Sequence, residues 1–255
     1  MKLSAVILTK NEEENIIDCL SAVSFCDEIV IVDDKSEDRT KEIIKDYATG
    51  NTKVKLYERE LGNSFSAQRN FGIAKTGNDW ILFVDADERI TKDLSQEILE
   101  NLSVPEYSGF LIPRVDYMWG KELKHGDPGN TKLLRLFDKR KGSLKGKVHE
   151  IWETNGKVGQ FINPILHYPH PTISSFLKEI NFYSDLRAQE LYEAKKKANF
   201  ILVLLYPKAK FIKTYFLKLG FMDGPAGFVH AMLMSFYSFL VRGKLWLLWN
   251  KRESI

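Results

Sequence analysis

The sequence predicts an α/β fold built on a doubly wound parallel sheet, and three features carry that expectation. Apolar, β-branched runs of strand length alternate with helix-period segments through the first 90 residues. The runs are continuously apolar, as in strands covered on both faces. They end in polar residues, Thr9 and Asn11, Asp33 and Asp34, then Asp85 and Asp87. In such sheets the site lies beyond the carboxyl ends of the strands.

Leu3–Thr9 (LSAVILT) is the first strand. Asn11 stands where it would cap the following helix, with Glu12, Glu13 and Glu14 at the positive end of its dipole. Ile16, Ile17, Leu20 and Val23 then recur at helical spacing. Residues 28–34 (EIVIVDD) form a second strand and 36–47 a second helix, with Asp34 or Ser36 as its cap. A short strand at 54–57, a helix at 64–74 and a strand at 80–84 (WILFV) lead into Asp85-Ala86-Asp87. From 109 the pattern changes: 109–115 and 133–137 read as strands around a loop holding Gly120, Gly126, Asp127, Pro128 and Gly129. Residues 143–152 and 161–168 are further extended pieces, and 173–198 is a long amphipathic helical stretch. There is no internal repeat. The expected division is an α/β domain over 1–170, with halves 1–100 and 101–170, and a helical basic and apolar tail over 171–255.

Composition narrows the class. With 44% apolar residues and a net charge of +3, the 255-residue chain is not intrinsically disordered. Its 16 Gly and 8 Pro have no period, which excludes a collagen-like chain. Two cysteines make no disulfide framework, no Cys/His pattern suggests zinc, and the N-terminal apolar run is too short for a signal peptide. The expected compartment is the reducing cytosol. Residues 195–255 hold 11 Lys/Arg against Asp223 and Glu253, a charge of +9, which leaves −6 on residues 1–194. An acidic body and a pI near 8.6 lack the footprint of a nucleic-acid binder. The apolar run 226–241 has 16 residues, short of the roughly 20 that span a bilayer. Flanked by Arg242, Lys244 and Trp246, it reads as an interfacial helix on an anionic membrane surface. The alternatives are a core helix packed on the sheet or a homodimer contact.

The most informative stretch is Asp85-Ala86-Asp87. Two carboxylates leaving a strand end together present hard oxygen ligands to a divalent cation, Mg²⁺ or Mn²⁺, whose shell is completed by water and substrate phosphates. A solvated acidic turn is the alternative. Asp33 and Asp34 suit hydrogen bonds from a base edge or a ribose, or helix capping. Arg69 suits phosphate, one of these acids, or a plain surface salt bridge. No Walker-A or GxGxxG element is present, which argues against an ATPase or a nicotinamide enzyme.

LSAVILTKNEEENI, EIVIVDDKSEDRT and SAQRNFGIAKTGNDWILFVDADE, in that order, resemble the nucleotide-sugar domain of family-2 glycosyltransferases over roughly residues 2–100. Arg135-Leu136-Phe137, Val148-His149-Glu150 and the GFMDGPAGF run from Gly220 to Phe228 resemble the branch that builds lipopolysaccharide cores and related surface glycans. The resemblance implies a GT-A fold, a Rossmann-like mixed sheet flanked by helices, with a nucleotide-sugar half (1–100) and an acceptor half (101–170). It implies that Thr9, Asn11 and Glu13 line the nucleotide pocket and that Asp34, with Asp33 beside it, takes the base or ribose. Arg69 would lie near the uracil or diphosphate, and Asp85 and Asp87 would hold the metal and diphosphate. Leu8 stands where many relatives have Pro, and Lys35 where Gly is frequent, which puts the local loop shape in question.

The implied reaction is inverting, metal-dependent transfer of a sugar from a nucleotide-diphospho-sugar to a lipid-linked or core-oligosaccharide acceptor, at the inner face of the cell membrane. A carboxylate must take the acceptor's proton. Glu150 is the first candidate and Asp127 the second. His149 and His167 are candidate metal ligands, or ordinary structural histidines. The basic run over 139–147 meets acceptor or lipid phosphates, or is a solvated hairpin. Two other readings are a non-catalytic, membrane-tethered sugar-nucleotide-binding protein and a nucleotidyltransferase. The latter would want a Gly-rich basic loop where NEEEN stands.

Overall fold

The computed structural model describes residues 1–62, 64–102, 106–129, 131–145, 151–154 and 156–250. In chain order the elements are β1 (Leu3–Thr9), α1 (Ile16–Ala22), β2 (Glu28–Asp33), α2 (Thr40–Ala48), β3 (Val54–Glu58), α3 (Phe65–Lys75), β4 (Trp80–Asp85), β5 (Glu88–Ile90) and α4 (Lys92–Asn101). Then follow β6 (Tyr107–Met118), β7 (Lys121–Leu123), β8 (Thr131–Asp138), β9 (Gly142–Lys145), β10 (Ile151–Thr154), β11 (Lys157–Gln160) and β12 (Ile165–His167). The chain closes with α5 (Ile173–Glu193), α6 (Phe200–Phe211) and α7 (Gly224–Asn250). They form two compact units, Met1–Arg114 with Lys132–His167, and Val115–Thr131 with Tyr168–Ile255. Segment 115–131 therefore goes with the helices, which a tail beginning at 171 does not include.

In the first unit the sheet order is β3-β2-β1-β4-β8-β6-β12-β5, with β11 beside β6. β3, β2, β1 and β4 are parallel, and β8 is antiparallel to β4, so the sheet is mixed. All six residues of β2 are buried, as its unbroken apolar run requires. Alternate side chains face opposite layers. Ala5, Ile7, Ile29 and Ile31 pack with Ile16, Cys19 and Leu20 of α1 and with Leu94 and Ile98 of α4. Val6, Val30, Val32, Ile81 and Phe83 pack with Phe137 and, from α3, Phe71 and Ile73. Gly72 lets α3 settle onto the sheet, since a Cβ there would stand 2.6 Å from Val6 Cγ1.

Both of the first two helices begin later than their polar residues predict. Asn11 adopts φ +54° and does not cap α1; its Oδ1 accepts the Glu37 N–H at 2.8 Å. α2 starts at Thr40 because 34–39 forms a loop folded over Asp33 and Asp38. Lys35 sits there at φ +52°, a left-handed conformation that glycine adopts without steric cost.

In the second unit β7 pairs antiparallel with the end of β6, and Met118 and Leu123 pack on Phe176 and Ile180 of α5 and on Tyr237 and Leu240 of α7. α6 contains Pro207 and runs into a π-helical turn, Ile212–Leu217, then a 3₁₀ turn, Gly220–Asp223. Gly227 is held against the Gly220 carbonyl, leaving no room for a Cβ. α7 has 27 residues, about 40 Å at 1.5 Å per residue, and extends beyond the 226–241 run at both ends.

Candidate active site

The carboxyl ends of β1, β2 and β4 meet in the first unit, because Thr9 is in register with Asp33 and Leu8 with Asp85. The two loops that follow β1 and β2 are stitched together by their own polar groups. The Asn11 N–H donates to Ser36 Oγ (2.9 Å), and the Glu13 carboxylate accepts the Arg39 N–H (3.0 Å). Asp33 is fully buried and both its oxygens are taken by Ser36, by its N–H at 2.8 Å and its hydroxyl at 2.5 Å. Asp33 therefore shapes the loop. Asp34 accepts the Leu61 N–H (2.9 Å) and pairs with Lys10 (2.8 Å). Thr9 is 5% exposed, and its Oγ1 is buried with no hydrogen-bond partner among the described residues. A buried hydroxyl left unsatisfied at a strand end is costly unless a ligand meets it.

Asp85 is the centre of an arginine network. Its Oδ1 pairs with Arg69 (3.0 Å) and its Oδ2 with Arg135 (2.5 Å), while a third of its side chain stays exposed. Arg69 comes from α3 and lies 5.2 Å from the centre of the Phe83 ring. Arg135, from β8, also binds Glu88 Oε1 (2.7 Å), and Glu88 Oε2 accepts the Asp85 N–H (3.0 Å). Arg135 is 5% exposed and Glu88 fully buried. Burial pushes the Asp85 carboxyl upward, but the guanidinium groups of Arg135 and Arg69 outweigh it and hold it well below the usual carboxylate range. At Glu88 burial wins, and the carboxyl is raised despite Arg135. Asp87 pairs with His167 Nε2 (3.2 Å), which β12 brings in by pairing His167 with Glu88 of β5. Arg89 braces the turn by donating to the Ala86 carbonyl (2.9 Å) and to Asn15 Oδ1 (3.1 Å).

Asp85, Asp87 and Arg69 thus come together. Arg135 and Glu88 join them and are absent from the sequence-based site. The sequence signal for Arg135 is a single charge inside an apolar run, LLRLF, which can be buried only with a partner. Glu150 and His149 lie outside the described residues. Asp127 lies in the second unit, held by Lys210 (2.6 Å) and Lys218 (2.9 Å) and accepting from Thr214 Oγ1 (3.2 Å). Burial would raise its carboxyl, but the two ammonium groups prevail and push it down to about 2. A carboxylate so held is a poor proton acceptor, and its environment is that of an anchor between a loop and the helices. The GFMDGPAGF run serves a similar end: buried Asp223 accepts the His125 N–H (2.8 Å) and contacts His125 Nδ1 (2.9 Å).

No group of three or more His, Cys, Asp or Glu is arranged to hold a metal among the described residues. The donor chemistry at the turn nevertheless fits a divalent cation. Asp87 offers carboxylate oxygens 3.2 Å from the His167 imidazole, a mixed oxygen and nitrogen donor pair of the kind Mn²⁺ accepts. Asp85 is otherwise engaged.

Residues 4–158 match the profile of glycosyl transferase family 2. The chain belongs to that family. A lipopolysaccharide core biosynthesis glycosyltransferase, LpsC of Rhizobium meliloti (strain 1021), is 30% identical over 251 residues, which cover 96% of this chain and 92% of that protein. An uncharacterized glycosyltransferase of Rickettsia typhi is 28% identical over 258 residues, 96% of this chain and 86% of that one. Among solved structures, the mannosyltransferase PcManGT of Pyrobaculum calidifontis in complex with GDP-Man and Mn²⁺ gives a TM-score of 0.56 at 13% identity, over 98% of this chain and 88% of that one. S. aureus TarS 1–349 in complex with UDP-GlcNAc gives 0.51 at 15% identity, over 98% and 92%. The fold is GT-A and this family-2 chain is a glycosyltransferase.

Proposed function

We propose that this glycosyltransferase moves a sugar, with inversion, from a nucleotide-diphospho-sugar to a core-oligosaccharide or lipid-linked acceptor in envelope glycan synthesis, working at the cytoplasmic face of the cell membrane. The observation that carries the reading is the arginine-held Asp85 beside Asp87 and His167 where β1 and β4 end. The likeness to a lipopolysaccharide core enzyme along nearly the whole chain supports the acceptor class. The nucleoside lies over the loops after β1 and β2, where Thr9 Oγ1 gains a partner and Asp34 takes a base or ribose group; Asn11 and Glu13 hold the loops that form its rim.

Asp87, with His167, is the set that would hold Mg²⁺ or Mn²⁺, which when bound offsets charge on the leaving diphosphate. Arg69 lies at the exposed side of Asp85, where its guanidinium can reach a phosphate. Arg135 and Glu88 fix Asp85 so that the charges facing the donor do not reorganise during reaction. The acceptor hydroxyl forms the new bond to the anomeric carbon as the bond to the diphosphate oxygen breaks. The electron pair leaves on the diphosphate, and the hydroxyl proton passes to Glu150.

The experiment is nucleotide release from a panel of UDP- and GDP-sugars, with wild type, Glu150→Gln and Asp127→Asn. Release that falls about 10²-fold or more in Glu150→Gln alone supports the assignment. Full turnover in Glu150→Gln removes that residue from the role, and nucleotide binding without turnover in wild type favours a non-catalytic binding protein.

A further inference from the structure

α6 is a 12-residue helix, FILVLLYPKAKF, in which no residue is buried. Phe200, Ile201, Leu204 and Leu205 are 68%, 61%, 46% and 53% exposed, and the turn after it adds Phe216 and Leu217 at 53% and 74%. A helix this apolar gains nothing from folding into water alone. It is nevertheless packed antiparallel on α7: Phe211 meets the Phe228 ring edge-on at 5.9 Å, Ser235 Oγ donates to the Pro207 carbonyl (2.8 Å), and Arg242 stacks over Tyr206 at 4.0 Å. α7 in turn shows Phe228, Met232, Phe236 and Phe239 to solvent at helical spacing.

The stretch Gly220–Asn250 is long and apolar enough to cross a membrane. Its neighbour argues against crossing. Along α7 runs α5, a helix with charges over much of its length, and Lys244 of α7 donates to the Asn181 carbonyl (2.8 Å) and pairs with Asp185 (2.7 Å), which is 60% exposed. Were α7 to span, these charges would be carried into hydrocarbon. Between Phe200 and Asn250 there are six Lys/Arg against one acid, Asp223, and Lys208 and Lys213 are exposed beside the apolar surface. That charge suits an acidic lipid surface.

We propose that α6 and α7 lie as a hairpin in the plane of one leaflet of an anionic membrane, with α6 the immersed helix and α7 running along the surface without crossing it. This rests on the membrane-associated reading above and adds which helix enters and in what orientation. It departs from the sequence reading, in which 226–241 alone is the interfacial helix.

The test uses the full chain with sealed vesicles, of phosphatidylcholine alone and of phosphatidylcholine with phosphatidylglycerol. Wild type is expected to float with the anionic vesicles. Leu204→Glu with Leu205→Glu should lower the bound fraction about tenfold or more, and Lys208→Gln and Lys213→Gln about fivefold each. Since nothing in α6 is buried and Lys213, in the turn after it, is exposed, the melting temperature should be unchanged in all of them, which separates lost docking from lost folding. Topology is read by a membrane-impermeant maleimide on Lys124→Cys and Lys196→Cys. These sit by the two ends of α7, through His125 on Asp223 and through the Lys196 carbonyl on Trp249, and the native Cys19 and Cys26 are buried. Both should label fully before detergent is added. Protection of either one until detergent means that α7 spans, and overturns the in-plane hairpin while leaving membrane association standing. A wild type that floats with neither vesicle overturns both, whether or not it transfers sugar. A stable dimer that fails to float gives the apolar face to a second copy and likewise refutes the proposal.

Discussion

Replacing Arg135 by methionine removes one guanidinium from between two carboxylates and keeps most of the side-chain volume. Arg135 is 5% exposed, Glu88 is fully buried, and the pair distances are 2.5 Å to Asp85 and 2.7 Å to Glu88. Breaking a buried pair from one side typically costs about 3–5 kcal/mol, because an uncompensated charge stays behind. Part of that is recovered here, since Glu88 already sits above the usual carboxylate range and can take up a proton, and Asp85 keeps Arg69. A loss of about 3 kcal/mol is therefore expected, or roughly 6–12 °C in melting temperature for a chain of this size. Thermal and urea unfolding measure it. Adding Glu88→Gln to Arg135→Met should restore at least about 1 kcal/mol, since the stranded charge is then gone. A melting temperature within about 2 °C of wild type for Arg135→Met, or no recovery in the double variant, would refute the claim that Arg135 neutralises the turn.

Other expectations follow from single contacts. His230 is 5% exposed and burial pushes its imidazole down to about 4 from 6.5, with Asp127, Asp116, Lys210 and His170 as the charged or titratable groups around it. Its folded-state value is depressed, so the unfolded chain binds the proton more readily; stability is full above about pH 6.5 and is lost as pH falls toward 4, by about 2 kcal/mol at pH 5. His230→Phe should flatten the pH dependence of urea unfolding over that interval. Thr9→Val removes an unsatisfied buried hydroxyl, so the melting temperature should hold or rise slightly while nucleotide affinity falls, as read by calorimetry. Gly72→Ala forces a methyl against Val6 and should cost about 1–3 kcal/mol in urea unfolding.

The parallel core of the first unit was readable because strands covered on both faces announce themselves as unbroken apolar runs, and β1, β2 and β4 fall within a residue of where LSAVILT, EIVIVDD and WILFV place them. Helix starts were less so. Asn11 and Ser36 look like caps, yet their hydrogen bonds run between the two loops rather than into their own helices, a tertiary choice that local preference does not encode. Asp85 and Asp87 stood out because they end a strand. Arg135 and His167 arrive from β8 and β12, fifty and eighty residues away, where strand pairing and not local pattern sets their neighbours. Asp127 shows the converse. In the sequence it is an acid in a glycine-rich loop, and only the fold supplies the two lysines, from α6 and the turn that follows the π-helical segment, that occupy it. Segment 115–131 joins the helical unit through β7 and Leu123, a packing that its composition does not foretell.

The central claim is that Asp87, beside His167 at the β4 turn, holds the divalent cation that meets the donor's diphosphate. Its most direct test is titration of UDP and of GDP, each with Mn²⁺, into wild type and Asp87→Asn, alongside sugar transfer by both. Metal-dependent nucleotide binding is expected in wild type, with weakened binding in Asp87→Asn and transfer lowered about 10²–10⁴-fold. Equal nucleotide binding and equal transfer in the two proteins would contradict it.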